Sequence, residues 1–369
     1  MRAWASRNAS IRGDGLLVRS SVRSGRSVLL MLIKEARAIA ADWVRGREPR
    51  AAFYTGSSLD LADRAELSAE SDLDIVVVSD GPAPDKIGKV VHRGVRLDVS
   101  FLDRRELANP DAIARIHYLA PSFRSESAII VDADGELRAV HDHVAPIFGR
   151  SDVVWGRCEN VLSRMMSGLS RVGELASWPT QLLGWLFPIS LPTQLLLVAG
   201  CRNPTVRLRY LRTRELLVDH QLTGHYPALL ELLGCLAVTP ATVLRHLDTL
   251  GAVFDATTDV PSDLAFAADL SADSRPVAID GTRRLVQEGD HREAVFWLMV
   301  TFARCQVTLD LAPDPGSADQ HRPLLDAAAA DLLGVSEPAD LQRRARSAER
   351  WLPELSTTAR KIITELPAH

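Results

Sequence analysis

Thr55–Val78 reads TGSSLDLADRAELSAESDLDIVVV, and the fold turns on its two ends. At the first end, Gly56, Ser57 and Ser58 form a small-residue turn. At the other, Asp72 and Asp74 stand one residue apart at the head of the apolar run Ile75–Val78. A continuous β-branched run of this kind predicts a strand covered on both faces. Residues i and i+2 of a strand point the same way, so Asp72 and Asp74 project together from its start. Upstream, RAAFYTGSS predicts a short strand that stops at the glycine. Downstream, GVRLDVSFLD alternates and predicts another strand, in which Asp98 is the one carboxylate of VRLDVSF and shares a face with Arg96 and Ser100. A fourth strand, SAIIVDADGEL, closes on an Asp-Gly turn.

Helices flank these strands. Ser27 to Arg47 carries Leu29, Leu30, Leu32, Ile33, Ala36, Ile39, Ala40 and Trp43 at helical spacing, and Pro49 ends it. PDAIARIHYLA and ELRAVHDHVAPIF predict two more. Residues 25–150 are thus expected to form a mixed sheet with flanking helices. From Ser151 no convincing strand follows, and 151–369 is expected to be an all-α bundle, for an α+β fold overall. Asn203-Pro204 and Thr239-Pro240 pair a cap with a first helical position. Loops are expected at 255–275 and 312–320.

The bulk composition narrows the function. The chain has 369 residues, 46% apolar and 24% charged, with a net charge of −4, which is ordinary soluble composition and long enough for two domains. That charge is a poor footprint for gripping long nucleic acid. The cysteines Cys158, Cys201, Cys235 and Cys305 are far apart, without zinc spacing, and read as buried thiols of a reducing cytoplasm. Residues 1–24 are arginine-rich without an apolar core, and are expected to be a flexible tail, with a transit peptide as the alternative. Leu175 to Cys201 carries no charge and is long enough to span a bilayer. Pro179, Pro188 and Pro192 interrupt it, which predicts two short buried helices rather than a membrane span.

If the strands of Asp74 and Asp98 are neighbours, three carboxylates converge, and unpaired they repel one another strongly. A divalent cation relieves this, and oxygen-only ligands suit Mg²⁺ or Mn²⁺. Two such ions ~4 Å apart clamp the attacking and leaving oxygens of a phosphoryl displacement. Gly56 permits close backbone approach, and N–H groups there with the Ser57 hydroxyl suit phosphate oxygens. Ser58 is either turn filler or a second phosphate contact. The competing reading makes Asp72 a cap and pairs Asp74 with an arginine.

Together GSS, SDLDIVVV and RLDVSF resemble the nucleotidyltransferase superfamily that includes the aminoglycoside nucleotidyltransferases and polymerase-β-like enzymes. The resemblance covers roughly residues 50–135. It implies that Asp72, Asp74 and Asp98 bind two Mg²⁺ ions, that Asp98 also helps deprotonate the acceptor, and that Gly56 and Ser57 hold the triphosphate of an NTP, with ATP the family-level expectation. A nucleoside monophosphate would pass to an acceptor hydroxyl and pyrophosphate would leave. The fourteen residues between Ser57 and Asp72 are a few more than family members usually have.

In such enzymes a helical domain closes over the nucleotide. Its best candidates here are Arg207, Arg209, Arg212 and Arg214, with Arg207 the chosen triphosphate contact, and then Arg164 and Arg171; the competing reading is a solvated basic face. Trp178, Trp185 and Phe187 either wall an acceptor pocket or pack the core. Glu126 and Asp132 flank the fourth strand as further possible bases, although Asp132 also suits a turn start. His141, His143 and His291 read as surface or packing residues. The expected function is nucleotidyl transfer to a small molecule in the cytoplasm. The alternatives are transfer to a protein or RNA, as toxin–antitoxin nucleotidyltransferases do, and a nucleotide-binding regulator without catalysis.

Overall fold

The computed structural model describes residues 31–174, 176–312 and 315–366. The expected tail at 1–24 and the first turn of the helix expected from Ser27 lie outside these. Within them, α1 (Ile33–Arg45) buries Ile33, Ala36, Ala40 and Val44, the i, i+3, i+4 stripe of an amphipathic helix. Strand β1 (Ala51–Thr55) leads into a tight helical turn, Gly56–Asp60, and the chain then loops back to β2 (Leu73–Ser79). The long linker is a loop against the start of α1, where Leu67 N–H donates to the Met31 carbonyl at 2.8 Å and Ile33 N–H to that of Ala65 at 2.9 Å.

A strand that the sequence pattern did not suggest comes next. β3 (Gly88–His92) pairs antiparallel with β4 (Val95–Asp103) through the two-residue turn Arg93-Gly94. Both turn residues have positive φ, 48° and 80°, the geometry that matches the twist of a two-residue hairpin. β5 (Ile129–Asp132) completes a five-stranded sheet in the order β3-β4-β2-β1-β5. Only β2 and β4 are parallel.

The sheet is covered on both faces, as the β2 sequence demands. Leu73, Ile75 and Val77 pack with Leu97 and Val99 under α1. Phe53, Val76 and Leu102 pack on the other face under α2 (Pro110–Ala114) and α3 (Glu136–Ile147). The helix expected over PDAIARIHYLA is thus one short helix capped by Asn109, followed by turns.

From Ser151 the described residues form helices joined by loops, with no strand: α4 (Ser151–Leu169), α5 (Trp178–Ala199), α6 (Arg209–Asp219), α7 (Tyr226–Leu233), α8 (Pro240–Thr257), α9 (Gly281–Gln287), α10 (His291–Leu309), α11 (Pro315–Leu333) and α12 (Pro338–Thr364). One large apolar core joins them. Two expectations need correction. The charge-free stretch is a single 22-residue helix, α5, with Pro188 and Pro192 inside it. An interior proline costs a helix about 3 kcal/mol, and burial of nearly every C-terminal side chain of α5 outweighs it. The Pro188 ring also rests on α4, where a Cβ at Gly168 would lie 2.3 Å from it. α5 has the length and hydropathy of a membrane span, yet 83% of its most apolar window is buried inside the described chain. Second, α11 occupies most of the segment expected to be a loop at 312–320. The loop expected at 255–275 begins only after Thr257 and contains short helical turns at Ala267–Leu270 and Ala272–Ser274.

Candidate active site

The register of the sheet assembles the carboxylates. Asp74 is the direct partner of Asp98 across parallel strands β2 and β4. Thr55 is the partner of Asp74 on β1, and Lys89 is the partner of Asp98 on β3. One row across four strands therefore reads Thr55, Asp74, Asp98, Lys89. Asp72 lies two residues before Asp74, on the same face. Val76 and Val78, further along that face, meet the α2–α3 layer, which leaves the Asp72 end to the helical half of the chain.

Two lysines enter the row. Lys89 Nζ donates to Asp72 Oδ2 at 2.5 Å and to Asp98 Oδ2 at 2.9 Å, and its side chain is only 8% exposed. Lys86 Nζ lies 2.9 Å from both Asp98 oxygens and donates to Oδ2, so that the buried Oδ1 has no aligned hydrogen bond. The same ammonium donates to Asp269 at 3.0 Å, and Arg304 holds the other oxygen of Asp269 at 3.0 Å. Lys86 thus ties the sheet to the helical half.

The charges are unevenly shared. Burial, then Asp72 and Asp98, push the Asp74 carboxyl well above the usual range, and the lysines only partly offset this. Burial also works to raise Asp98, but Lys89 and Lys86 outweigh it and hold that carboxyl low. Lys86 and Lys89 are raised against their own burial, by Asp98 and Asp269 for the first and by Asp72 and Asp98 for the second.

The small-residue turn abuts this row. Gly56 has φ +72°, and a Cβ placed on it would fall 1.8 Å from Asp74 Oδ2. Only glycine lets the turn and the carboxylate approach so closely. Asn203, from the helical half, donates its side-chain amide to the Gly56 carbonyl. Ser57 is exposed. Ser58 is 2% exposed, its hydroxyl has no partner among the described residues, and its carbonyl accepts from Arg37 at 2.7 Å.

Of the arginines expected to serve the site, Arg207 reaches it. Its guanidinium feels the charges of Asp72 and Glu70, and burial lowers its pKa. None of its donors makes a hydrogen bond or ion pair within the described residues. Gly281, at the start of α9, packs against it, with a would-be Cβ 3.0 Å from Nη1. Beside it Arg284 pairs with Glu70 at 2.8 Å. The others are spent elsewhere. Arg209 lies in the core 4.2 Å from the Phe296 ring centroid, Arg212 pairs with Glu215, and Arg214 pairs with Asp290 and Glu293. Arg164 sits over Tyr118, and Arg171 is exposed.

The remaining candidates have structural partners. Asp132 accepts from the N–H groups of Leu137 and Arg138 and caps α3. Glu126 pairs with Arg138. His141 meets the Phe123 carbonyl, His143 meets Asp111, and His291 meets the Val238 carbonyl near the start of α10. Trp185 is fully buried among core residues.

Residue patterning missed Lys86, Lys89, Asp269 and Arg284. The lysines had a visible signal: only four of the 43 Lys and Arg residues are lysines (Lys34, Lys86, Lys89 and Lys361), and two of the four fall three residues apart beside the Asp98 strand. Asp269, 183 residues from Lys86, had none. The donor set is of the kind a small divalent cation takes, three carboxylates offering oxygen only, with two ammonium groups offsetting part of their charge; among the described residues, no three or more His, Cys, Asp or Glu side chains are drawn together as a metal-holding group. No protein-family model and no curated protein sequence matches the chain.

Proposed function

We propose that this chain is a divalent-metal-dependent nucleotidyltransferase. It would move a nucleoside monophosphate from an NTP, with ATP the expected donor, to a hydroxyl of a small molecule, releasing pyrophosphate. The observation that carries this reading is the pairing of Asp74 with Asp98 on adjacent parallel strands, with Asp72 on the same face and the Gly56 turn pressed against Asp74.

Asp72, Asp74 and Asp98 would hold the magnesium or manganese ions, which when bound supply positive charge to the phosphate oxygens. The chain's own groups have separate tasks. The exposed Ser57 and the N–H groups of the turn would orient the triphosphate. Arg207, with unused donors, would bind one of its charged oxygens. In transfer, the acceptor oxygen bonds to the α-phosphorus and the bond from that phosphorus to pyrophosphate breaks. The hydroxyl proton would pass to Asp98 as Lys86, now 2.9 Å from both of its oxygens, gives way. The helical half, anchored by Asn203 and Asp269, would exclude water and present the acceptor.

One observation favours a second reading. Lys86 and Lys89 already neutralise much of the trio, which suits a nucleotide-binding module that performs no transfer. Pyrophosphate release from NTPs in the presence of Mg²⁺ or Mn²⁺, tested across a panel of hydroxyl compounds, separates the two. Asp72→Asn with Asp74→Asn is expected to abolish that release. Undiminished turnover in the double variant would end the transfer reading.

A further inference from the structure

We propose that Lys89 and Lys86 are tethered counter-cations that hold the carboxylates together in the metal-free protein and yield to divalent ions, with Lys89 the direct competitor for the ligands. This rests on the metal-dependent reading above and adds to it how the site is loaded.

Three observations carry it. First, Lys89 bridges two of the three expected ligands, Asp72 and Asp98, and makes no other ion pair among the described residues. An ion bound by both carboxylates must take over the charge that Lys89 now supplies. Second, Lys86 has somewhere to go. Its second contact, Asp269, is fixed by Arg304, so the ammonium can leave Asp98 and keep a partner. Third, the residue choice is unusual for this chain. It uses arginine for nearly every basic position, yet at this cluster it places half of its lysines. A guanidinium would grip a carboxylate with a planar fork, whereas an ammonium is a compact charge on a flexible stem and is the easier group to displace. In the absence of metal, the three carboxylates would repel one another without these two groups.

The scarcity of lysine makes the test direct. Full-length protein is pulsed with an amine-acetylating reagent, without nucleotide, in the presence and absence of Mg²⁺, and each lysine is quantified by mass spectrometry. Lys34 and Lys361 are exposed and act as internal references. Lys89 should be protected without metal and label several times faster with it, while the references stay unchanged. In parallel, Mn²⁺ binding is measured by electron paramagnetic resonance for wild type, Lys89→Gln and Asp72→Asn. Lys89→Gln should bind about tenfold more tightly, the scale set by one displaced buried charge pair. Saturable Mn²⁺ binding that is lost in Asp72→Asn, with Lys89 equally protected throughout, would overturn this proposal and leave the metal-dependent function standing. Equal or weaker binding by Lys89→Gln would do the same. Absence of binding in both wild type and Lys89→Gln would overturn the proposal together with the metal reading. If Lys89→Gln does not fold, the labelling of wild type decides alone.

Discussion

Gly56→Ala should separate the role of the turn from its mere flexibility. The backbone cost comes first: at φ +72° an alanine is strained by about 1–2 kcal/mol. The second cost is specific to the site. The new Cβ would lie 1.8 Å from Asp74 Oδ2 and 2.5 Å from its Cγ. To regain van der Waals separation, the carboxylate must retreat by about 1 Å or more. A displacement of that size in a reacting constellation costs about 10²-fold in rate. Gly135 provides the control, since its φ is +76° and a Cβ there meets nothing within 4 Å. In urea unfolding Gly135→Ala should lose only the backbone cost, and Gly56→Ala at least as much. Only Gly56→Ala should lose metal-dependent pyrophosphate release, by about two orders of magnitude. If Gly56→Ala turns over like wild type, then either Asp74 is not held where the structure puts it or the chemistry does not use it.

Other positions give sharp expectations. His117 is 4% exposed, and its Nδ1 lies 2.6 Å from Asn160 Oδ1; burial drops its pKa from 6.5 to about 4. Its neutral form is favoured in the folded state, so its contribution is complete above pH 6.5 and is lost as the pH falls toward 4, up to about 3 kcal/mol in all. Unfolding of wild type and His117→Gln measured across that window should show a flatter slope for the variant, and parallel slopes would remove His117 as a source. Arg207→Gln should raise the KM for the NTP about tenfold or more, the scale of a lost charge-assisted hydrogen bond, with a smaller change in kcat. An unchanged KM would leave Arg207 as a local counter-charge for Asp72. Ser58→Ala removes a buried hydroxyl without a partner among the described residues, so the melting point should hold or rise slightly. A raised KM in the same variant would make Ser58 a phosphate contact, and an unchanged one would make it turn filler.

Period-two alternation was enough to put Asp72 and Asp74 on one face, and the continuous run after them was enough to predict burial on both sides. The adjacency of Asp74 and Asp98 was an inference from strand pairing, and the parallel β2–β4 register supplies it. What stayed hidden has physical causes. β3 was missed because GKVVH is short and its hairpin turn is Arg-Gly, without the Asn-Gly or Asp-Gly signature that usually betrays positive φ at two positions. The prolines of α5 predict two helices because proline penalties are local and legible in sequence, whereas the tertiary burial that overrides them is not. The four arginines near α6 looked alike in sequence. Their separation into one site residue, one core residue, one exposed ion pair and one pairing with buried Glu293 depends on which neighbours the bundle brings, and no spacing rule contains that. Asp269 and Arg284 belong to the same class, since they reach the sheet only through the packing of the distant helical segment.

The outer edge of the sheet carries a last consequence. Among the described residues β3 has β4 on one side and no strand on the other, and what lies against it is the helical turn at Ala268, so close that a Cβ at Gly88 would fall 2.3 Å from the Ala268 methyl. Arg96 reaches past it to the Asp273 carbonyl at 2.7 Å. A chain cut after residue 150 would bare that strand, with its unpaired N–H and C=O groups, as a template for self-association. It would also leave Lys86 without Asp269. The sheet half is thus a poor candidate for a free-standing fragment, and gels or light scattering of such a truncation should report aggregates where the whole chain stays dispersed.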